Sequence, residues 1–236
     1  MRTRTLFIRP LTVLTLALTG AGLTGCGDDN NDRTETAEYA VTVTNLTNGQ
    51  PLTPPAMVIH RTDYAAWTEG QSAGTGLEEL AESGATGAFL AAARGDDAVV
   101  AAEAADGSAG PGDDLSLTLE VEAGRGLHLT VATMLAATND GFTGVNAHSL
   151  DGLAVGETAT VRTRAWDAGT EANAESAATV PYLGGEGFNS ARSSRVDRVT
   201  VHPGVVTAAD GLAGSGLTEA HRFNRPVAQV TVTRVR

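Results

Sequence analysis

Apolar and polar residues alternate along several short stretches of this chain, and each such stretch predicts a half-buried strand. YAVTVTNLT, starting at Tyr39, is the first. AMVIH (Ala56–His60) is a shorter apolar run behind a turn at Asn48-Gly49 and a proline-rich link at Pro51, Pro54 and Pro55. LSLTLEVEA (Leu115–Ala123) alternates strictly. The turn at Gly124 and Gly126 leads into LHLTVATML (Leu127–Leu135), which predicts a strand pairing back on it. ETATVRTRAW (Glu157–Trp166), SRVDRVTVHPG (Ser194–Gly204) and PVAQVTVTRVR (Pro226–Arg236) complete the set. The clearest helix is TGLEELAESG, with Thr75 as the predicted cap, Glu78 three residues on and Gly84 as the stop. Residues 88–109 are alanine-rich and fit helix or strand. Short strands between glycine-rich turns, with one or two short helices, predict an all-β antiparallel sandwich over residues 38–236.

The pattern differs before Tyr39. Arg2, Arg4 and Arg9 precede an apolar run, Leu11–Leu18, which is short for a membrane span and the right length for a signal peptide core. Leu23-Thr24-Gly25-Cys26 then resembles a bacterial lipobox. Residues 1–25 are thus expected to be a lipoprotein signal peptide and Cys26 the lipidated residue. Residues 26–37 carry that cysteine and a polar tether, whose aspartates read as solvated rather than as a cation site. The expected location is exported and lipid-anchored to the cell envelope, at the outer membrane in a Gram-negative host. Gly27, rather than aspartate, follows the cysteine. Membrane contact through the anchor alone is expected.

Charge narrows the partners. The chain has 28 acidic residues against 16 basic ones, all arginine, for a net charge of −12. Cleavage after Gly25 removes three arginines and no acids, taking −12 to −15. Such a surface excludes nucleic acid, which needs a basic face. With no lysine, a phosphate loop ending in Gly-Lys is excluded too. Cys26 is the only cysteine, so there is no disulfide within the chain and no multi-cysteine metal site.

Two loops carry candidate chemistry. TNDGFTG (Thr138–Gly144) follows one predicted strand and DAGTE (Asp167–Glu171) follows another. If both emerge at one end of a sandwich, Asn139, Asp140, Asp167, Glu171 and Asn173 converge. All five are hard oxygen donors, which suit Ca²⁺ better than zinc. Like charges held close also call for a cation. On spacing alone, a hydrogen-bonded turn with solvated carboxylates remains open. So does a hydrolase using Asp167 and Glu171 as a carboxylate pair, although there is no H-E-x-x-H motif. The scattered histidines read as structural. Trp67, Trp166 and Phe142 read as packing residues rather than a carbohydrate platform.

The ordered set YAVTVTNLTNGQPLTPPAMVIH, TEGQSAGTGLEELAESG, PGDDLSLTLEVEA, LTVATMLAATNDGFTG, WDAGTEAN and PVAQVTVTRV resembles the spondin domain of F-spondin and mindin, over about residues 38–235. The resemblance implies an eight-stranded, C2-like antiparallel β-sandwich with Ca²⁺ held by loops at one end, on Asp140, Asp167 and Glu171. It also implies a non-enzymatic adhesion module, with an unidentified protein or glycan as partner at the cell surface or in the periplasm. The cysteines and thrombospondin repeats of the animal members are missing here, so their partners do not carry over.

Overall fold

A computed structural model describes residues 35–224 and 226–236. The predicted signal peptide, Cys26 and nearly all of the tether lie outside the described residues. Thr34–Arg236 forms one compact unit.

Among the described residues, ten strands form two antiparallel sheets, and two helices pack on one of them. The four-stranded sheet has β1 (Thr36–Asn45) and β10 (Ala228–Arg234) at its centre, with β4 (Asp114–Glu122) beside β1 and β7 (Thr158–Thr163) beside β10. The six-stranded sheet runs β3 (Val99–Ala104), β2 (Ala56–His60), β5 (His128–Met134), β6 (Gly141–Ser149), β8 (Ala165–Asp167), β9 (Thr200–Val201).

The alternation in β1 is the physical basis of the first sheet. Val41 and Val43 point inward while Thr42 and Thr44 face solvent. In β10, Val230 and Val232 match them across the register Val41↔Val232 and Val43↔Val230. These residues pack against Met57, Ile59, Leu129 and Val131 of the second sheet to form the main core.

The second sheet is covered on both faces. Behind it, α1 (Thr75–Ser83) and α2 (Gly87–Arg94) bury Leu77, Leu80, Phe89 and Leu90 against Val58, Ala132 and Phe142. This is why AMVIH does not alternate: all five of its residues are buried.

Five expectations are corrected. LHLTVATML does not pair back on LSLTLEVEA: β4 lies beside β1 in the four-stranded sheet and β5 between β2 and β6 in the six-stranded one, so the turn at Gly124 and Gly126 crosses between the sheets. The predicted Glu157–Trp166 strand is two strands, because the chain leaves the four-stranded sheet after Thr163 and enters the six-stranded one at Ala165. The predicted Ser194–Gly204 strand shrinks to Thr200–Val201. Arg192 ties back to Asp197, whose φ of 43° breaks an extended path. TNDGFTG is a loop only to Asp140, and β6 begins at the next residue, Gly141. Thr75 does not cap α1. Gly74 occupies that position with no side-chain cap, and Glu78 is instead ion-paired with Arg192. The ambiguous stretch 88–109 holds both a helix and a strand, α2 and β3.

Candidate metal centre

Strand pairing brings the two predicted loops together. β6 begins at Gly141 and β8 ends at Asp167, and these two residues are cross-strand partners. The loop before β6 and the loop after β8 therefore leave side by side. Thr138 shapes the first. Its hydroxyl donates to the Leu135 carbonyl at 2.7 Å and accepts the Gly141 N–H at 2.8 Å. Gly169 shapes the second. Its φ is 74°, and a Cβ there would run into the Arg198 carbonyl.

Asp140 sits at the junction with no exposed surface. Its Oδ2 accepts the Thr170 N–H at 2.7 Å, the Thr170 hydroxyl at 3.2 Å and the Glu171 N–H at 3.0 Å. Its Oδ1 is buried and has no partner. Burial, and then the nearby charge of Asp167, push its carboxyl up to about 7, against the pull of those three donors. An acceptor oxygen that is dry and unpartnered carries a substantial desolvation penalty.

Asp167 and Glu171 are both nearly buried. Asp167 accepts the Gly169 N–H on Oδ1 at 2.8 Å and the Asn173 amide on Oδ2 at 2.7 Å. Glu171 is pushed up to about 7 by burial and by the charge of Glu82, while a hydrogen bond from Asn139 opposes the shift. Asn139 donates to the Thr179 hydroxyl at 2.6 Å, and its carbonyl lies 3.4 Å from the Glu175 N–H.

The five predicted residues thus share one end of the second sheet. Even so, among the described residues no three His, Cys, Asp or Glu side chains stand close enough together to hold a metal ion. The predicted donors are all oxygens, the type that calcium takes, and one of them, Asp140 Oδ1, has no partner.

Three buried groups join this region without any signal in sequence spacing. Glu175 is buried, and burial raises its carboxyl to about 7. Glu82 comes from α1. Its Oε2 accepts the Asn189 N–H at 2.9 Å, Oε1 has no partner, and burial raises its pKa. His202 is buried with Nε2 unpartnered. Burial lowers its pKa to about 4, against the pull of Asp167. Nothing in the local pattern marks Glu175 or His202, and Glu82 lies on a helix that reads as amphipathic, where a glutamate is expected to face solvent.

Outside the buried groups, Asp167, Glu171 and Asn173 line a cleft of about 500 Å³ closed by Ser193, Arg195 and Val201.

No curated protein matches the chain. The family model Spondin_N does match, over residues 53–182. That stretch runs from the link before β2 through both loops of the site and contains all five predicted oxygen donors, and it is more than half of the sequence. The chain therefore belongs to the spondin N-terminal domain family.

Proposed function

We propose that this chain is a calcium-binding, non-enzymatic module that is exported, lipid-anchored through Cys26 and engages a protein or glycan at the cell surface or in the periplasm. The outer membrane is its place in a Gram-negative cell. The same reading takes the sandwich as C2-like, with eight main strands and with β8 and β9 as short ribbons beside the metal loops. The observation that carries it is Asp140: a fully buried carboxylate with one unpartnered oxygen, beside Asp167 and Glu171. A divalent cation supplies the missing partner and offsets the like charge. Asp140, Asp167 and Glu171 would hold it, and Asn139 and Asn173 would contribute side-chain carbonyl oxygens.

An ion that binds only the folded state stabilises it by about 2.7 kcal/mol when its concentration is about one hundred times Kd. Calcium should therefore raise the melting midpoint of the metal-stripped full chain, and Asp140→Asn should abolish that rise while remaining folded. An unchanged midpoint on adding calcium after thorough chelation would remove the metal from the proposal. For the anchor, Cys26→Ala should move the chain from the membrane fraction to the soluble one.

One observation favours a second reading, a hydrolase. Glu171, with its pKa near 7, lines the 500 Å³ cleft together with Asp167. Against this, the chain carries no H-E-x-x-H motif. Glycosidase and esterase substrates incubated with the chain and with Glu171→Gln separate the two readings: turnover lost in the variant would support the hydrolase.

A further inference from the structure

The two sheets of the sandwich do not close evenly. β7 is an edge strand, paired only with β10. β6 is paired with β8 only at Gly141–Thr143, which leaves residues 144–149 without a strand on that side. Between these two open edges runs a groove of about 360 Å³. It is closed at one end where the chain crosses between the sheets at Arg164. There Thr143 bonds the Thr163 hydroxyl at 2.7 Å and the Arg164 carbonyl at 2.8 Å.

The lining of this groove is unlike the rest of the surface. The chain has 28 acidic residues, yet none lines the groove. Arg162 and Arg164 do. Among the described residues, neither guanidinium is hydrogen-bonded or ion-paired, whereas Arg192, Arg222 and Arg236 each hold carboxylates. Arg164 lies over the partly exposed ring of Trp166, 5.4 Å from its centroid. Two unpaired arginines beside an aromatic ring form a recognition surface for an anion that also carries an apolar face. The volume lies within the range of small-ligand sites, about 300–1,000 Å³.

The strand edge also bears on what sort of chain lies there. A peptide adding to an open edge needs an unbroken ladder. β6 has none: Asn146 and Ala147 together face the single residue Thr130 of β5, a bulge at which Ala147 takes φ 55°. The Asn146 amide is already committed to the Trp67 carbonyl, the Ala66 N–H and the Thr130 hydroxyl. On the β6 side a ligand read by side chains suits better than one read by backbone, while the regular β7 edge makes an acidic peptide the competitor that the test must include.

We propose that the groove between β6 and β7 binds an acidic saccharide, with Arg162 and Arg164 on its carboxylates and Trp166 against a sugar ring. This rests on the binding-module reading above and names a ligand class and a place for it, separate from the metal loops.

The test is calorimetric titration of the full chain with a trigalacturonate, a neutral trigalactoside and a tri-glutamate peptide. Each is run in chelator, so that the saccharide cannot act by carrying calcium. The trigalacturonate should bind, more weakly as salt rises, and the neutral sugar should not. Arg162→Ser with Arg164→Ser should weaken binding by about tenfold or more, from the loss of two charge-assisted contacts. The same variant should keep the calcium-induced melting shift of the parent. Equal binding of the neutral sugar, equal binding of the tri-glutamate, or an unaltered affinity in the double variant would each overturn the proposal. Loss of the calcium shift in the parent alone would instead remove the metal reading and leave the groove standing.

Discussion

The four-stranded sheet and the long segment from Ala168 to Val227 are built on opposite principles. In the sheet, alternate valines and leucines enter one apolar core, and the outward threonines pair across strands, as Thr42 does with Ser116 at 2.8 Å. The described residues of the segment hold one two-residue strand and three short 3-10 turns, and Val180, Val205 and Leu217 form a small apolar cluster with Ala137 of the loop before β6. Several polar links tie the segment down. Arg192 clamps Glu78 at 2.8 Å and the Ala73 carbonyl at 2.6 Å, Asp210 holds Arg222, and Glu175 lies 3.4 Å from the Val206 N–H. Apolar burial resists perturbation in proportion to area, whereas a polar clamp concentrates its contribution in a few groups that are costly to orphan.

The largest effect should come from the apolar side of that contrast. Leu129→Ala opens a cavity in the main core and should cost about 2–5 kcal/mol in urea unfolding, with the whole unit losing stability together. Glu78→Gln should come next. It removes one partner of a nearly buried pair, costing about 1–3 kcal/mol, and its signature should be local: faster proteolytic cleavage near residues 186–198 before global unfolding. Equal protection of that stretch in the variant would break the contrast.

A smaller effect concerns pH. Asp140, Glu171 and Glu175 are all raised to about 7. An acid whose folded pKa exceeds its unfolded value contributes stability that is intact below the unfolded pKa and is lost as pH rises through the folded one. Metal-free protein should feel that loss between about pH 4 and 7, and under the proposed function a calcium ion would replace the departing protons. The calcium-induced rise in melting midpoint should therefore be greater near pH 8 than near pH 5, and Asp140→Asn should flatten the trend. Calcium stabilisation that falls with rising pH would contradict this. The smallest effect should be that of Asp210→Asn. Its partner Arg222 is solvent-accessible, and exposed pairs add little. No measurable shift in melting midpoint is expected.

The contrast also explains what could be read from the sequence. Alternation located β1, β4 and β10 to within a few residues, because one face of each packs on the core, and it located β5 although that strand is buried on both faces. It failed for β6. GFTGVNAHS has no alternation because its first three residues are buried on both faces and a bulge interrupts the rest. It overextended β9, where backbone path is set by the Arg192–Asp197 tie rather than by side-chain period. At the site, Asp140, Asp167 and Glu171 were legible because short loops flank paired strands. Glu82, Glu175 and His202 were not, since tertiary packing alone brings a helix and two distant loops to that place. Trp166 was read as a packing residue, and it does pack against the cluster beneath the helices, while its partly exposed ring also lines the groove.

The pairing of β1 with β10 has a mechanical consequence. Tyr39 lies opposite Arg234, so Thr36 and Arg236 emerge at the same end of neighbouring antiparallel strands. A force separating these two residues would peel the strands apart one hydrogen bond at a time, which is a weak loading geometry. The crossing at Arg164 lies beyond Thr163, which is level with Ala228 and Asn45 at the opposite end. A pull between that crossing and Thr36 would load the bonds flanking β1 in shear, many at once. Held from its N-terminal side and tugged through the groove, the sandwich would therefore bear far more tension than if tugged by its last residue.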